Sequence, residues 1–288
     1  MRMRATSKDE EDISAWSHVA NDIEKALAED IGSGDITASL ISKNATATAT
    51  IITRTNCVLC GTRWVNEVFK QLDAAIQIKW NYADGDSVNA KSTLCTLSGS
   101  SRSLLSGERV SLNFLQTLSS VATKTRFYSD LIKHTQAAVL DTRKTIPGLR
   151  RALKYAVKTG GGTNHRIGLF DGILIKENHI SATGGIQQAL DAAKKMELNV
   201  PIQIEVENLG QLDEALSAGA TLILLDNFDL STMRKAVALN DGRAQLEASG
   251  GITKESIVAI AETGVNRISI GALTKDIEAI DLSMRFSD

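Results

Sequence analysis

Ala137-Ala138-Val139-Leu140-Asp141-Thr142-Arg143-Lys144 is a short apolar run of buried-strand type with charge at its downstream end. Gly172-Ile173-Leu174-Ile175-Lys176-Glu177-Asn178-His179 repeats the arrangement. Four more strand-like runs follow at 202–206, 221–225, 244–248 and 267–270, with helical periodicity between them at 186–196, 209–218, 230–238 and 254–263. Regular alternation of this kind implies a parallel sheet, either open or closed. The strand ends decide between the two. They carry Arg143 and Lys144, Lys176, Glu205 and Glu207, Asp226 and Asn227, Ser249-Gly250-Gly251, and Ser269-Ile270-Gly271 in turn. Polar groups gathered from many strands onto one rim are barrel behaviour, whereas an open sheet concentrates them at one switch point.

The segment 141–179 also concentrates charge. Arg143, Lys144, Arg150, Arg151, Lys154, Lys158, Arg166 and Lys176 face only Asp141, Asp171 and Glu177, a local excess of +5 in a chain of net charge −2. With Gly160-Gly161-Gly162 in the same segment, this has the makings of a focused site for a small polyanion. A nucleic-acid surface would spread its charge more widely.

At 288 residues the chain has room for one barrel or two ordinary domains. Met1-Arg2-Met3-Arg4 has no apolar h-region behind it, no run approaches membrane-spanning length, and a cytoplasmic location is the default expectation. Cys57, Cys60 and Cys95 are too few for a disulfide framework. If a strand continues through Cys57-Val58-Leu59-Cys60, residues three apart point to opposite faces and cannot grip one metal.

Ahead of the alternating region, residues 1–12 read as a frayed tail. An amphipathic helix spans 13–29 and Gly32-Ser33-Gly34-Asp35 stops it. Strands at 45–54, 76–80 and 93–97 with a helix at 61–72 complete a smaller α+β domain over 13–117, and the barrel takes 118–275. Ser106 is the expected N-cap of a long helix reaching about Lys133. That puts Arg109 in its first turn, where a cation opposes the helix dipole by roughly 0.3–1 kcal/mol and invites a functional explanation.

Glu205 shares the polar face of its strand with Gln203 and Glu207. Together with Asp226 it offers oxygen ligands suited to Mg²⁺, which takes one or two carboxylates and completes its shell with phosphates and water. Ser249-Gly250-Gly251 and Gly271-Ala272 are expected at strand-to-helix junctions, where backbone N–H groups hold phosphate.

Four groups of residues now line up with one family. They are Asp141-Thr142-Arg143-Lys144-Thr145 with Pro147-Gly148-Leu149-Arg150; Gly160-Gly161-Gly162 with Asn164-His165-Arg166; Leu174-Ile175-Lys176 with Asn178-His179; and Glu205-Val206-Glu207-Asn208-Leu209. Together they resemble quinolinate phosphoribosyltransferase, the decarboxylating nicotinate-nucleotide pyrophosphorylase of NAD biosynthesis. The likeness runs from Glu29-Asp30-Ile31 to Arg285-Phe286. It implies an irregular, incomplete TIM-like α/β barrel after a smaller α/β sandwich, to which a tail at 276–288 returns. It implies that Arg143, His165, Arg166 and Lys176 bind quinolinate, with Arg109 arriving from the partner subunit of a homodimer. Thr142, Lys144, Glu205, Asp226, Ser249, Gly250, Gly251, Ile270, Gly271 and Ala272 would hold phosphoribosyl pyrophosphate and its Mg²⁺. Lys144, Lys176, Glu205 and Asp226 would be the catalytic groups.

Two other readings of the same residues stay open. Lys176 beside Lys144 would suit a Schiff-base aldolase, since a neighbouring cation activates an amine. A non-catalytic sensor of an anionic metabolite would use the same basic pocket without turnover.

Overall fold

The computed structural model describes residues 8–287. In chain order the elements are α1 (Lys8–Ile31), β1 (Thr46–Thr53), β2 (Cys57–Val58), α2 (Thr62–Leu72), β3 (Gln77–Trp80), β4 (Ser87–Val88), β5 (Thr93–Ser100) and α3 (Ser101–Leu131). There follow β6 (Ala138–Leu140), α4 (Arg150–Thr159), β7 (Ile173–Ile175), α5 (Glu177–Thr183), α6 (Ile186–Lys195), β8 (Ile202–Val206), α7 (Leu209–Ser217) and β9 (Leu222–Asp226). The remainder is α8 (Leu230–Asn240), β10 (Gln245–Ser249), α9 (Ile257–Ala261), β11 (Arg267–Ser269), α10 (Ala272–Lys275) and β12 (Leu282–Ser287). Contacts divide the chain into two units. One takes the chain up to Thr123 together with Arg151–Thr159 and the segment from Ile277 onward; the other takes Lys124–Arg150 and Gly160–Asp276.

In the first unit an antiparallel sheet runs in the order β12-β1-β5-β3. Its apolar positions alternate, so Ala49 and Ile51 of β1 and their partners Leu97 and Cys95 of β5 turn inward, where Val65 and Phe69 of α2 and Leu104, Leu112 and Leu115 of α3 pack with them. Truncating the fully enclosed Phe69 to alanine would cost about 3–5 kcal/mol by transfer and cavity terms. Among the described residues β2 pairs only with β4, and Cys57, Cys60 and Cys95 are buried free thiols.

Two local expectations change. Of the tail drawn over 1–12, residues 1–7 lie outside the described residues, and the first helix begins at Lys8. The long helix opens at Ser101, because Ser100 at the end of β5 accepts the Ser103 N–H (3.4 Å) as its cap. Ser106 donates its hydroxyl to Asp35 Oδ2 (2.8 Å) instead. Arg109 therefore stands in the third turn, and the dipole argument for it lapses.

The second unit is a sheet of six parallel strands in the order β6-β11-β10-β9-β8-β7. The last strand in sequence closes onto the first, and the seam between β6 and β7 stays open, which makes the barrel incomplete. Thr163 lies in this seam, bridging in parallel to Leu140 and donating its N–H to Val139 O (2.8 Å). The apolar stripes of α6, α7 and α8, including Leu190, Leu212 and Met233, are buried on the outside of the sheet. The helix expected over 254–263 is only α9.

Candidate active site

Period-two alternation gives each barrel strand an inner face, and the register aligns those faces into rows. Glu205 pairs with Leu224, Leu224 with Glu247, and Glu247 with Arg267. One row further toward the strand ends, Asp226 pairs with Ser249. A cavity of about 350 Å³ opens over these rows, bounded by Thr142, Arg143, Lys144, His165, Arg166, Lys176, Glu205, Asp226, Glu247, Ser249 and Ser269. A second hollow of about 340 Å³ shares Thr142, Lys144, Ser249 and Ser269 with it and continues along Gly250, Gly251, Ile270, Gly271 and Ala272. Arg109 is exposed on α3, in the other unit.

The basic wall is built on a buried carboxylate. Asp141, fully enclosed at the end of β6, accepts the His165 N–H (2.9 Å) and the Asn164 side-chain amide (2.6 Å), so the loop after Thr163 is tied to the strand end. That brings Arg166 beside Arg143. Arg166 donates to Gly172 O (2.8 Å); burial first, and then the charge of Arg143, holds its guanidinium below the usual arginine range, with Asp171 opposing. Arg143 Nε is buried with no partner. A buried donor left unmade costs about 1–3 kcal/mol, so an anion seated here would satisfy it and relieve the repulsion between the two cations.

The opposite wall is acidic and glycine-rich. Lys176 ends β7 and extends Nζ to Glu205 Oε2 (2.7 Å), while its backbone N–H donates to His179 Nδ1 (3.0 Å) and starts α5. Asp226 accepts from Asn227 Nδ2 (2.9 Å) at the end of β9. Asn227 has φ +55° and its N–H meets Ser249 O (3.0 Å), so two strand ends are stitched side by side. Gly250, at φ +108°, lies so close that a Cβ there would sit 2.1 Å from Asn227 Oδ1. Lys144 is fixed through its backbone, with N–H donated to Thr142 Oγ1 (3.0 Å) and O accepting from Thr274 Oγ1 (2.8 Å). Gly271 directly precedes α10, but Ser249-Gly250-Gly251 does not start a helix, since α9 begins six residues after Gly251. Donors at that turn are loop N–H groups, without a helix end behind them.

Residues 35–119 match the family model of the quinolinate phosphoribosyl transferase N-terminal domain, and residues 121–285 match the model of its C-terminal domain. The chain belongs to the quinolinate phosphoribosyltransferase family. It is 43% identical over 257 residues to a probable nicotinate-nucleotide pyrophosphorylase (carboxylating) of Bacillus subtilis, covering 89% of each chain. Over 91% of its length it is 38% identical to the chloroplastic enzyme of that name from Oryza sativa subsp. japonica, covering 76% of that chain. The solved nicotinate-nucleotide pyrophosphorylase of Francisella tularensis superposes with a TM-score of 0.92 at 49% identity, covering 94% of this chain and 96% of that one.

Within this family fold, several residues of the site escape a reading of strand ends alone. Glu247 and Arg267 lie one row below the rim and form an ion pair (2.9 Å) in which Glu247 is fully enclosed and Arg267 is partly exposed. Asp141 and Asn164 act through the loop that they hold. A signal for Glu247 existed, since Gln245-Leu246-Glu247-Ala248-Ser249 alternates polar and apolar as Gln203-Ile204-Glu205 does.

Proposed function

We propose that this chain transfers the phosphoribosyl group of phosphoribosyl pyrophosphate to quinolinate with decarboxylation, giving nicotinate mononucleotide, pyrophosphate and CO₂. The observation that carries this reading is the pair Arg143 and Arg166: two crowded guanidiniums, one with a buried unpartnered Nε, facing carboxylates across one cavity. A planar dicarboxylate fits the first half, and a pyrophosphate with its cation fits the second.

Arg143 and Arg166 would grip the two carboxylates through paired N–H donors. Lys176 would complete that half, and the His165 ring, whose two nitrogens are engaged within the chain, would line it by contact. The ring nitrogen would then attack the anomeric carbon as the bond to pyrophosphate breaks, the leaving oxygen keeping the electron pair. Lys144 and the N–H groups of the Ser249–Gly251 and Gly271-Ala272 turns would receive the departing charge. Loss of CO₂ from the carbon beside the cationic nitrogen leaves an electron pair that takes up a proton. Holding both substrates in line supplies much of the rate, because no strong acid or base is required.

Glu205 and Asp226 suit Mg²⁺ carried in by its phosphate ligand. One oxygen of each is engaged by a neighbour, and no group of three metal-binding side chains converges among the described residues, which leaves most of the shell to water and phosphate. Bound there, the ion would neutralise pyrophosphate charge.

A homodimer in which Arg109 enters the partner's site belongs to the same reading. Its support is an exposed arginine on a chain whose own dicarboxylate wall is otherwise complete. A cytoplasmic location accompanies it, and no helix among the described residues is long and apolar enough to cross a membrane.

The test is to supply quinolinate, phosphoribosyl pyrophosphate and Mg²⁺ and to look for nicotinate mononucleotide. Binding of both without turnover would favour a sensor. A borohydride-trapped adduct on Lys176 would favour an aldolase.

A further inference from the structure

Arg267, Glu247, Gln203 and His165 form one chain of hydrogen bonds through the barrel interior. Arg267 Nε donates to Glu247 Oε2 (2.9 Å), Gln203 Nε2 donates to the same oxygen (3.1 Å), and Gln203 Oε1 lies 2.9 Å from His165 Nε2. Glu247 is completely enclosed and Gln203 nearly so. Burying such groups is costly unless each is paired, so their orientations are constrained. The amide must turn its NH₂ to the carboxylate. Its oxygen then faces His165, and Nε2 has to carry the ring proton.

The other ring nitrogen gives the same answer independently. His165 Nδ1 is 2.9 Å from the Arg166 backbone nitrogen, which donates its N–H, so Nδ1 must present a lone pair. Two constraints from opposite sides of the ring select one neutral tautomer. Glu247 Oε1, buried without a hydrogen-bond partner, stands 3.7 Å from Nε2 and completes the anionic side of the chain. Glu247 bounds the cavity that holds Arg143 and Arg166, whereas Gln203 and Arg267 line a neighbouring hollow of about 440 Å³ that shares His165 and Arg166 with it.

We propose that Gln203, Glu247 and Arg267 are positioning residues for the dicarboxylate half of the site: they lock His165 as the Nε2–H tautomer, and its Nδ1 fixes the backbone of Arg166 and so aims that guanidinium. This rests on the quinolinate reading above. A metal's second shell orders histidines through the same logic, with one nitrogen's partner deciding what the other can do.

The test uses long-range ¹H–¹⁵N spectra of the full chain, which has four histidines, with His165→Asn to assign the signal. Wild-type His165 should show a protonated Nε2 and a bare Nδ1 at pH 7.5. Gln203→Leu, close in volume but unable to hydrogen-bond, should mix the tautomers and raise the quinolinate Kd about tenfold, while the Kd for phosphoribosyl pyrophosphate with Mg²⁺ moves less than twofold. Arg267→Met should behave alike, and Arg267→Lys, which keeps a cation on Glu247, should restore most of the quinolinate affinity. An Nδ1–H tautomer or an imidazolium in the wild type overturns the proposal even if Gln203→Leu does not fold. Unchanged quinolinate binding in folded variants, or parallel loss of both ligands, overturns it too. Should the wild type bind no quinolinate, the functional reading falls, and the spectrum still reports on the chain of hydrogen bonds.

Discussion

Lys176 Nζ sits 2.7 Å from Glu205 Oε2, joining the ends of adjacent strands β7 and β8. The pair ties two neighbouring strand ends of the acidic wall together, and the ammonium is engaged by a carboxylate where an aldolase would need a free amine lone pair. Borohydride added with substrate should therefore leave the mass of the chain unchanged. Glu205→Gln keeps the shape and removes the charge, and it should lower kcat roughly ten- to a hundredfold, as expected for losing a charge-assisted hydrogen bond.

Arginine holds carboxylate with a planar fork that lysine lacks. Arg143→Lys and Arg166→Lys should each raise the KM for quinolinate at least tenfold with the local charge intact, and wild-type kinetics would show that these positions supply charge alone.

Asp226→Ala should weaken phosphoribosyl pyrophosphate binding in Mg²⁺ more than quinolinate binding. Calorimetry with each ligand separately reads the difference, and equal losses would count against placing the metal there.

Gly250→Ala puts a methyl group 2.1 Å from Asn227 Oδ1 at a backbone angle of +108°. The left-handed strain alone costs about 1–2 kcal/mol, and the clash forces Asn227 off Asp226. Both Tm and phosphoribosyl pyrophosphate affinity should fall; if Tm drops alone, the turn has no part in binding.

Burial pushes the thiols of Cys57, Cys60 and Cys95 upward, Cys95 to about 12. At pH 8 the nucleophilic thiolate is therefore scarce in the folded chain, and alkylation by iodoacetamide should become rapid only after unfolding. Fast labelling of native protein would mean that the first unit opens readily.

Arg109→Ala and Lys176→Ala, each inactive alone, should complement when subunits exchange. About half of randomly mixed dimers would carry one intact site, returning roughly a quarter of wild-type activity. A mixture that stays dead despite proven exchange would remove Arg109 from the partner's site.

The barrel is legible because its strands are short apolar runs that end abruptly in charge, a pattern needing no long-range knowledge. The stretch 202–206 shows both its faces in the letters themselves. Helix α4 hides better: Arg150, Arg151, Lys154 and Lys158 mask the buried stripe of Ala152, Leu153, Ala156 and Val157. Arg109 was misplaced by local reasoning, since Ser106 and Ser100 are equally good caps in sequence and only the distant Asp35 decides which hydroxyl is diverted. Gln203, Glu247 and Arg267 become a unit only when parallel pairing sets strands β8, β10 and β11 in register, and no spacing along the chain encodes that.

Strand β1 lies between β5 and β12, so half of its ladder waits for residues 282–287. During synthesis the first sheet emerges early with β1 open on one side, and its partner is made only after all six barrel strands. The nascent chain thus carries an unpaired edge of alternating Thr, Ala and Ile for most of its translation, a template for pairing with a neighbouring ribosome's product. Production of this protein at high polysome density should be limited by that interval.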